Sequence, residues 1–146
     1  MKAQILNTQK YLQQIKVLET KIKQKKEEYI EVHNAALSVS AVRYDKEPIQ
    51  CTKTGDTLER NVIRYLELEN KIKADELEYY QLRNKIINEI QMLSDNRFVN
   101  ILYKRYVEYK SYELISVEMN YSFDYTKELH RKSLIEFRKK HPTLSH

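Results

Sequence analysis

The sequence predicts an all-α protein, in which long antiparallel or coiled-coil helices precede a C-terminal group of shorter helices. The 146 residues include one glycine and two prolines, whereas β-rich and α/β proteins need many turns built from Gly, Asn and Pro. Charged residues make up 32% of the chain and hydrophobic residues 41%, a composition typical of long solvated helices with one apolar face. We expect a long helical region over residues 1–93 and a separate domain over residues 94–146.

The first helix is predicted from residue 2 to about residue 35. Its apolar residues recur at intervals of three and four, as on one face of an α-helix. They are Ile5, Leu12, Ile15, Leu18, Ile22, Tyr29 and Val32. The lysines from Lys21 to Lys26 would suit nucleic acid, but glutamates follow them directly and favour a solvated face. Residues 37–57 collect Ser, Thr, Pro and the only glycine, and they are predicted to form a connecting loop.

The second long helix is predicted over residues 58–93, with Asp56 or Thr57 as its N-cap. An apolar stripe repeats every seven residues, which is typical of coiled-coil packing. The stripe consists of Leu58, Tyr65, Ile72, Tyr79, Ile86 and Leu93. Four further leucines, Leu66, Leu68, Leu77 and Leu82, are expected to widen it. The stripe from Leu58 to Ile86 is the predicted oligomer or partner interface. It could pack on the first helix of the same chain or on a second copy, and we expect a homodimer.

Shorter helices are predicted in residues 95–141, each preceded by a capping side chain. Asp95, Ser111 and Ser122 are suitable N-caps, because their side-chain oxygens can accept from free N–H groups in the first turn. Asn120 tolerates the left-handed dihedrals of a tight turn, and Pro142 ends the last helix. The expected inward residues are Phe98, Ile101, Leu102, Tyr106, Leu114, Ile115, Met119, Thr126, Leu129, Ser133, Leu134 and Phe137. This spacing suits a helix-turn-helix, and it also suits a three-helix bundle with a basic surface.

The last helix is the most basic part of a chain whose net charge is +5. Between Lys127 and His141, six Lys and Arg residues stand against two Glu. In a helix-turn-helix the start of the second helix enters the major groove, so its outward side chains must suit base edges or phosphates. The predicted DNA-binding residues are Phe123, Asp124, Tyr125, Lys127, His130, Arg131, Lys132 and Arg138.

The segment ILYKRYVEYKSYELISVEMNYSFDYTKELHRKSLIEF, residues 101–137, resembles region 4 of sigma-70-type factors. The matching positions are Leu102, Arg105, Tyr106, Tyr112, Glu113, Leu114, Ile115, Ser122, Leu129, His130, Ser133, Leu134 and Phe137. With YDKEPIQCTKTGD and the long helix after it, the chain is similar to small phage proteins close to RinA- and ArpU-type regulators of late phage genes. The resemblance covers about residues 43–141 and implies binding to double-stranded DNA and control of transcription. The first turn, Phe123 to Tyr125, is less basic than in sigma factors, so no base preference is carried over.

The sequence contains no motif that indicates catalysis, a cofactor or a metal site. It has no Gly-rich phosphate loop and no nucleophile elbow, and its four histidines are scattered. The single cysteine, Cys51, has no neighbouring histidine and fits a reducing compartment. No apolar run approaches the roughly 18 residues of a membrane span. We therefore expect a cytoplasmic protein that is not an enzyme and does not enter a membrane.

Two functions fit these expectations. In the first, the protein is a DNA-binding regulator of a phage or mobile element, and its long helices dimerise or contact RNA polymerase. In the second, it takes part in DNA packaging, because small terminase subunits also join a helix-turn-helix to long oligomerising helices. Phage satellites carry proteins that bind such subunits, and the stripe over residues 58–93 would then be the partner face.

Overall fold

The computed structural model describes residues 2–45 and 51–144, which form α-helices and short connections without a strand. The helices are α1 (Lys2–Asp45), α2 (Cys51–Gln91), α3 (Asn96–Leu102), α4 (Tyr112–Met119) and α5 (Phe123–Lys140). A π-helical turn, Tyr103–Val107, continues α3. The prediction of an all-α fold is confirmed.

Most of the predicted loop belongs to the ends of the two long helices. Helix α1 continues to Asp45 and α2 begins at Cys51, so the prediction of a loop over residues 37–57 is too long. Residues 46–50 of that loop lie outside the described residues. Ala36, only 4% exposed, extends the buried face of α1 to the start of the predicted loop. Poor helix formers cost only about 0.5–1 kcal/mol each, which does not stop a long helix. Asp56 and Thr57 consequently lie inside α2 and do not cap it.

The three predicted capping residues of the C-terminal helices are confirmed. The Asp95 carboxylate accepts from the Arg97 amide at 2.9 Å, and the Ser122 hydroxyl accepts from the Tyr125 amide at 3.1 Å. Ser111 caps α4 in the same way. Asn120 ends α4 with φ 57° and ψ 42°, the left-handed conformation expected for it.

The chain divides into two compact units, Met1–Leu18 with Tyr79–His146, and Glu19–Glu78. This division differs from the predicted boundary between residues 93 and 94, because both long helices contribute side chains to the core around α3, α4 and α5. The apolar side chains of the first unit with no exposed surface are Leu12, Ile15, Ile86, Ile90, Ile101, Leu102, Ile115 and Phe137. Removing such residues from water contributes roughly 1.5–3 kcal/mol each.

Polar contacts join α1, α2 and α5 within the first unit. The Tyr11 ring packs 6.2 Å from the Phe137 ring, and its hydroxyl donates to the Glu89 carboxylate at 2.6 Å. Burial and this carboxylate raise the pKa of Tyr11. The His141 Nε2 atom lies 2.9 Å from the Glu89 carbonyl oxygen, which ties the end of α5 to α2.

In the second unit α1 and α2 pack antiparallel. The Lys25 ammonium donates to the buried Asp75 carboxylate at 2.6 Å, and this hydrogen bond lowers the pKa of Asp75. Farther along α1 and farther back along α2, the His33 and Tyr65 rings lie 5.1 Å apart. The part of the predicted stripe that contains Tyr65 and Ile72 therefore packs on the first helix of the same chain, and Ile72 is 8% exposed.

The remaining residues of the predicted interface also lie on inward parts of α2. Leu58 and Tyr79 are half-buried, and Ile86 belongs to the core of the first unit. Leu66 and Leu77 are exposed, so the expectation that they widen this stripe is wrong. Leu114 of α4 is likewise exposed, although it was expected inward. The short helix α4 buries Ile115, as predicted, and adjacent helical residues differ in direction by about 100°, so Leu114 points away from the core.

Candidate nucleic-acid interface

Helix α5 has one buried face and one open face. Its buried residues are Thr126, Leu129, His130, Ser133, Leu134 and Phe137. The small polar residues among them bond within the helix: the Thr126 hydroxyl donates to the Ser122 carbonyl at 2.8 Å, and the Ser133 hydroxyl donates to the His130 carbonyl at 2.6 Å. These bonds satisfy the hydroxyl donors, so both residues can be buried and α5 can pack closely on α3 and α4.

Six of the eight predicted DNA-binding residues lie on the open face. They are Phe123, Asp124, Tyr125, Lys127, Arg131 and Lys132. Phe123 and Tyr125 are 40% and 38% exposed. Arg138, about four turns from the start of the helix, is half-buried.

His130 does not lie on this face, so the expectation that its side chain points outward to DNA is wrong. It is 4% exposed, and its ring nitrogens lie 2.7 Å from the Tyr106 hydroxyl and 3.2 Å from the Tyr112 hydroxyl. Burial, with a smaller effect of the Arg105 charge, lowers the pKa of His130 to about 4. The ring is therefore neutral near pH 7. Its spacing from Thr126 and Ser133 places it on the buried face.

The buried histidine joins three helical segments of the first unit. Tyr106 belongs to the π-helical turn, Tyr112 begins α4, and His130 belongs to α5. The Arg105 guanidinium lies over the Tyr112 ring, 4.2 Å from its centroid, in a cation–π contact. This cluster fixes α5 relative to the segments before it, and thereby fixes the direction of its open face.

The first turn of α5 combines aromatic and cationic groups. The Lys127 ammonium lies 5.3 Å from the centroid of the Phe123 ring, within the range of a cation–π contact. The Tyr112 ring lies nearly perpendicular to the Phe123 ring, at 87°, with centroids 6.5 Å apart. Tyr112 thus contacts one side of the Phe123 ring, while Phe123 and Lys127 both remain exposed to a ligand.

Arg97 of α3 adds a cation that the sequence interpretation missed. Its guanidinium donates to the Tyr125 hydroxyl at 2.9 Å and to the Asp95 carboxylate at 2.9 Å. The hydrogen bond from Arg97 lowers the pKa of Asp95 and in turn raises the pKa of Arg97. Because the link to Tyr125 spans 28 residues of sequence, local patterns contain no signal for it.

Part of the positive charge on α5 is paired with glutamates of the same helix. The Arg131 guanidinium lies 2.8 Å from the Glu128 carboxylate, and the Lys139 ammonium lies 3.3 Å from Glu136. The hydrogen bond from Arg131 lowers the pKa of Glu128. Both pairs are solvent-exposed and therefore weak, so an anionic ligand can replace the glutamates.

The connection between α3 and α4 is irregular but is held by backbone hydrogen bonds and ion pairs. In the π-helical turn the Glu108 amide donates to the Tyr103 carbonyl at 3.1 Å, and Tyr109 follows with a left-handed φ of 59°. A left-handed bulky residue is an outlier that neighbouring contacts must hold in place. Lys104 and Lys110 both bind the Glu118 carboxylate of α4, at 2.9 and 2.8 Å.

No group of three His, Cys, Asp or Glu side chains in residues 2–45 and 51–144 is placed to hold a metal ion. The helices in these ranges are each too short or too polar to cross a membrane. Comparison of the chain with protein-family models, curated proteins and solved structures finds no match.

Proposed function

We propose that this protein is a DNA-binding transcriptional regulator of a phage or mobile element, and that α4 and α5 act as its sigma region-4-like helix-turn-helix. The observation that carries the proposal is the open face at the start of α5, where Asp124, Lys127 and Arg131 are exposed while the opposite face is buried. The N-terminal residues of a recognition helix are those that contact base edges in the major groove.

The exposed side chains provide complementary contacts for duplex DNA. Lys127 and Arg131 can donate to guanine or to phosphate oxygens, and the Asp124 carboxylate can accept from a cytosine amino group. Phe123 and Tyr125 present apolar surface suited to a thymine methyl group. Lys132 and Arg138 continue along the helix, where contacts to phosphates add affinity without sequence information.

One helix-turn-helix provides limited affinity, so a second attachment belongs to the proposal. A homodimer would place two such modules on one DNA, and a contact with RNA polymerase would hold a single module at a promoter. The proposed activity is binding alone, and it assigns no catalytic step and no cofactor to the chain.

The test is a fluorescence-anisotropy titration with duplex DNA from the promoter region of the element that encodes the protein. We expect Lys127→Ala and Arg131→Ala each to weaken binding by roughly five- to hundredfold, the range for loss of a base contact. Lys23→Ala, which changes an exposed lysine of the second unit, is the matched control and should bind like the wild type. If both α5 variants keep wild-type affinity across a range of salt concentrations, the helix is not the reader.

A further inference from the structure

Helix α2 has a second apolar stripe, which faces away from α1. Ile63, Leu66 and Leu77 are 49%, 47% and 61% exposed. With Asn70 and Lys73 they follow the alternating three- and four-residue spacing of a single helix face. All five residues belong to the unit Glu19–Glu78. We call them the outward stripe.

We infer that the outward stripe binds a second copy of this chain, with the two α2 helices antiparallel. From Leu66 to Leu77 the stripe has the order apolar, polar, polar, apolar, with spacings of four, three and four residues, which is the same in both directions. About a twofold axis between residues 71 and 72, Leu66 faces Leu77 of the second copy and Asn70 faces Lys73. A twofold interface has to be self-complementary, and this stripe has that property.

Charge also favours the antiparallel arrangement. The Lys73 ammonium lies 3.4 Å from the Glu69 carboxylate of its own helix. In the antiparallel register Lys73 faces Asn70 of the second copy, and Glu69 of the second copy is the neighbour of that asparagine. Each Lys73 therefore lies between two carboxylates, Glu69 of its own helix and Glu69 of the second copy. Glu76 would approach Glu69 of the second copy, but it already has the Lys26 ammonium at 2.7 Å. A parallel pair would instead place Lys73 against Lys73.

The interface predicted from the seven-residue repeat is a poorer candidate for this contact. Ile72 is buried and Tyr65 contacts His33 of α1, so those residues already have partners within the chain. A dimer through them would require the two helices to separate. The outward stripe can bind a second copy without separating α1 from α2. The inference does not depend on the proposed DNA-binding function.

The test is sedimentation equilibrium on the purified full chain over the micromolar range. We expect the wild type to be a dimer and the double variant Leu66→Glu, Leu77→Glu to be a monomer, with at least tenfold weaker association. Leu6→Glu changes a leucine of α1 that is 50% exposed, and this control should remain dimeric. Circular dichroism checks that each variant keeps its helices. The double variant Leu66→Lys, Leu77→Lys should also be a monomer alone, and mixing it with the glutamate variant should restore a dimer.

The direction of the pair is tested by disulfide formation under oxidised glutathione, with Cys51→Ser as the background. Chains with Asn70→Cys mixed with chains with Lys73→Cys should form the mixed disulfide in preference to either symmetric one. Preferential formation of the symmetric disulfides would overturn the antiparallel assignment. A wild-type chain that is monomeric over the whole micromolar range would overturn the inference. This includes a chain that binds a terminase subunit or RNA polymerase but not a second copy of itself. So would a dimer that the glutamate variant leaves intact.

Discussion

Acidification is expected to destabilise the first unit through His130. The folded protein holds this ring neutral, with its pKa lowered to about 4, whereas the ordinary value is 6.5. Between these two values the unfolded chain binds a proton that the folded chain does not bind. The free energy of unfolding therefore rises with pH across this window, and the contribution is complete above pH 6.5 and is lost as pH falls towards 4.

The size of the effect follows from the two pKa values of this side chain. Linkage between a folded value of about 4 and an unfolded value of 6.5 gives a loss of about 2.5 kcal/mol on going from about pH 8 to about pH 4.5. The measurement should stop there. Carboxylates with lowered pKa values, such as Asp95 and Glu128, lose their own stabilising contribution as pH falls through and below their ordinary values of 3.8 and 4.5.

The assay is urea unfolding followed by circular dichroism and tyrosine fluorescence at several pH values. His130→Gln is expected to remove most of the slope between about pH 6.5 and about pH 4.5, because its side chain does not titrate. His33→Gln, at a half-buried histidine of the second unit, is the matched control. If the wild type and His130→Gln lose the same stability on acidification, the buried neutral histidine is not the cause.

Three further substitutions test the contacts described above. Ser122→Ala removes the cap of α5 and should lower the free energy of unfolding by about 1 kcal/mol in thermal denaturation; an unchanged melting temperature would contradict the role of the cap. Asp75→Asn leaves lysines of the second unit without their buried carboxylate and should cost about 1–3 kcal/mol in urea unfolding, whereas Glu28→Gln, at its exposed pair with Arg64, should cost under about 0.5 kcal/mol. Arg97→Ala should weaken DNA binding and reduce its salt dependence by about one counterion; a salt slope equal to that of the wild type would exclude a phosphate contact.

Local sequence signals predicted the C-terminal helices well. Asp95 and Ser122 each accept from a backbone amide two or three residues ahead, so a short window of sequence contains the whole interaction. Asn120 adopts its left-handed conformation for an equally local reason. Thr126 and Ser133 were placed inward by their helical spacing, and both are buried.

The errors concern the burial of single side chains and contacts between distant segments. His130 is polar, and its burial depends on two tyrosine hydroxyls that come from other helical segments. Leu77 is apolar but exposed, because it lies five residues after the buried Ile72 and so points to a different side of α2. Arg97 reaches the candidate interface only through the packing of α3 beside α5. The spacing of His130 from Thr126 and Ser133 does indicate the buried face, whereas no local signal indicates the contact that Arg97 makes with Tyr125.

The most direct test of the proposed function is an NMR titration of the isotope-labelled chain with its promoter duplex. We predict that the largest amide shifts and the strongest line broadening occur between Ser122 and Lys132, with a further change at Arg97. Binding that leaves these amides unchanged and perturbs only residues of the unit Glu19–Glu78 would contradict the account.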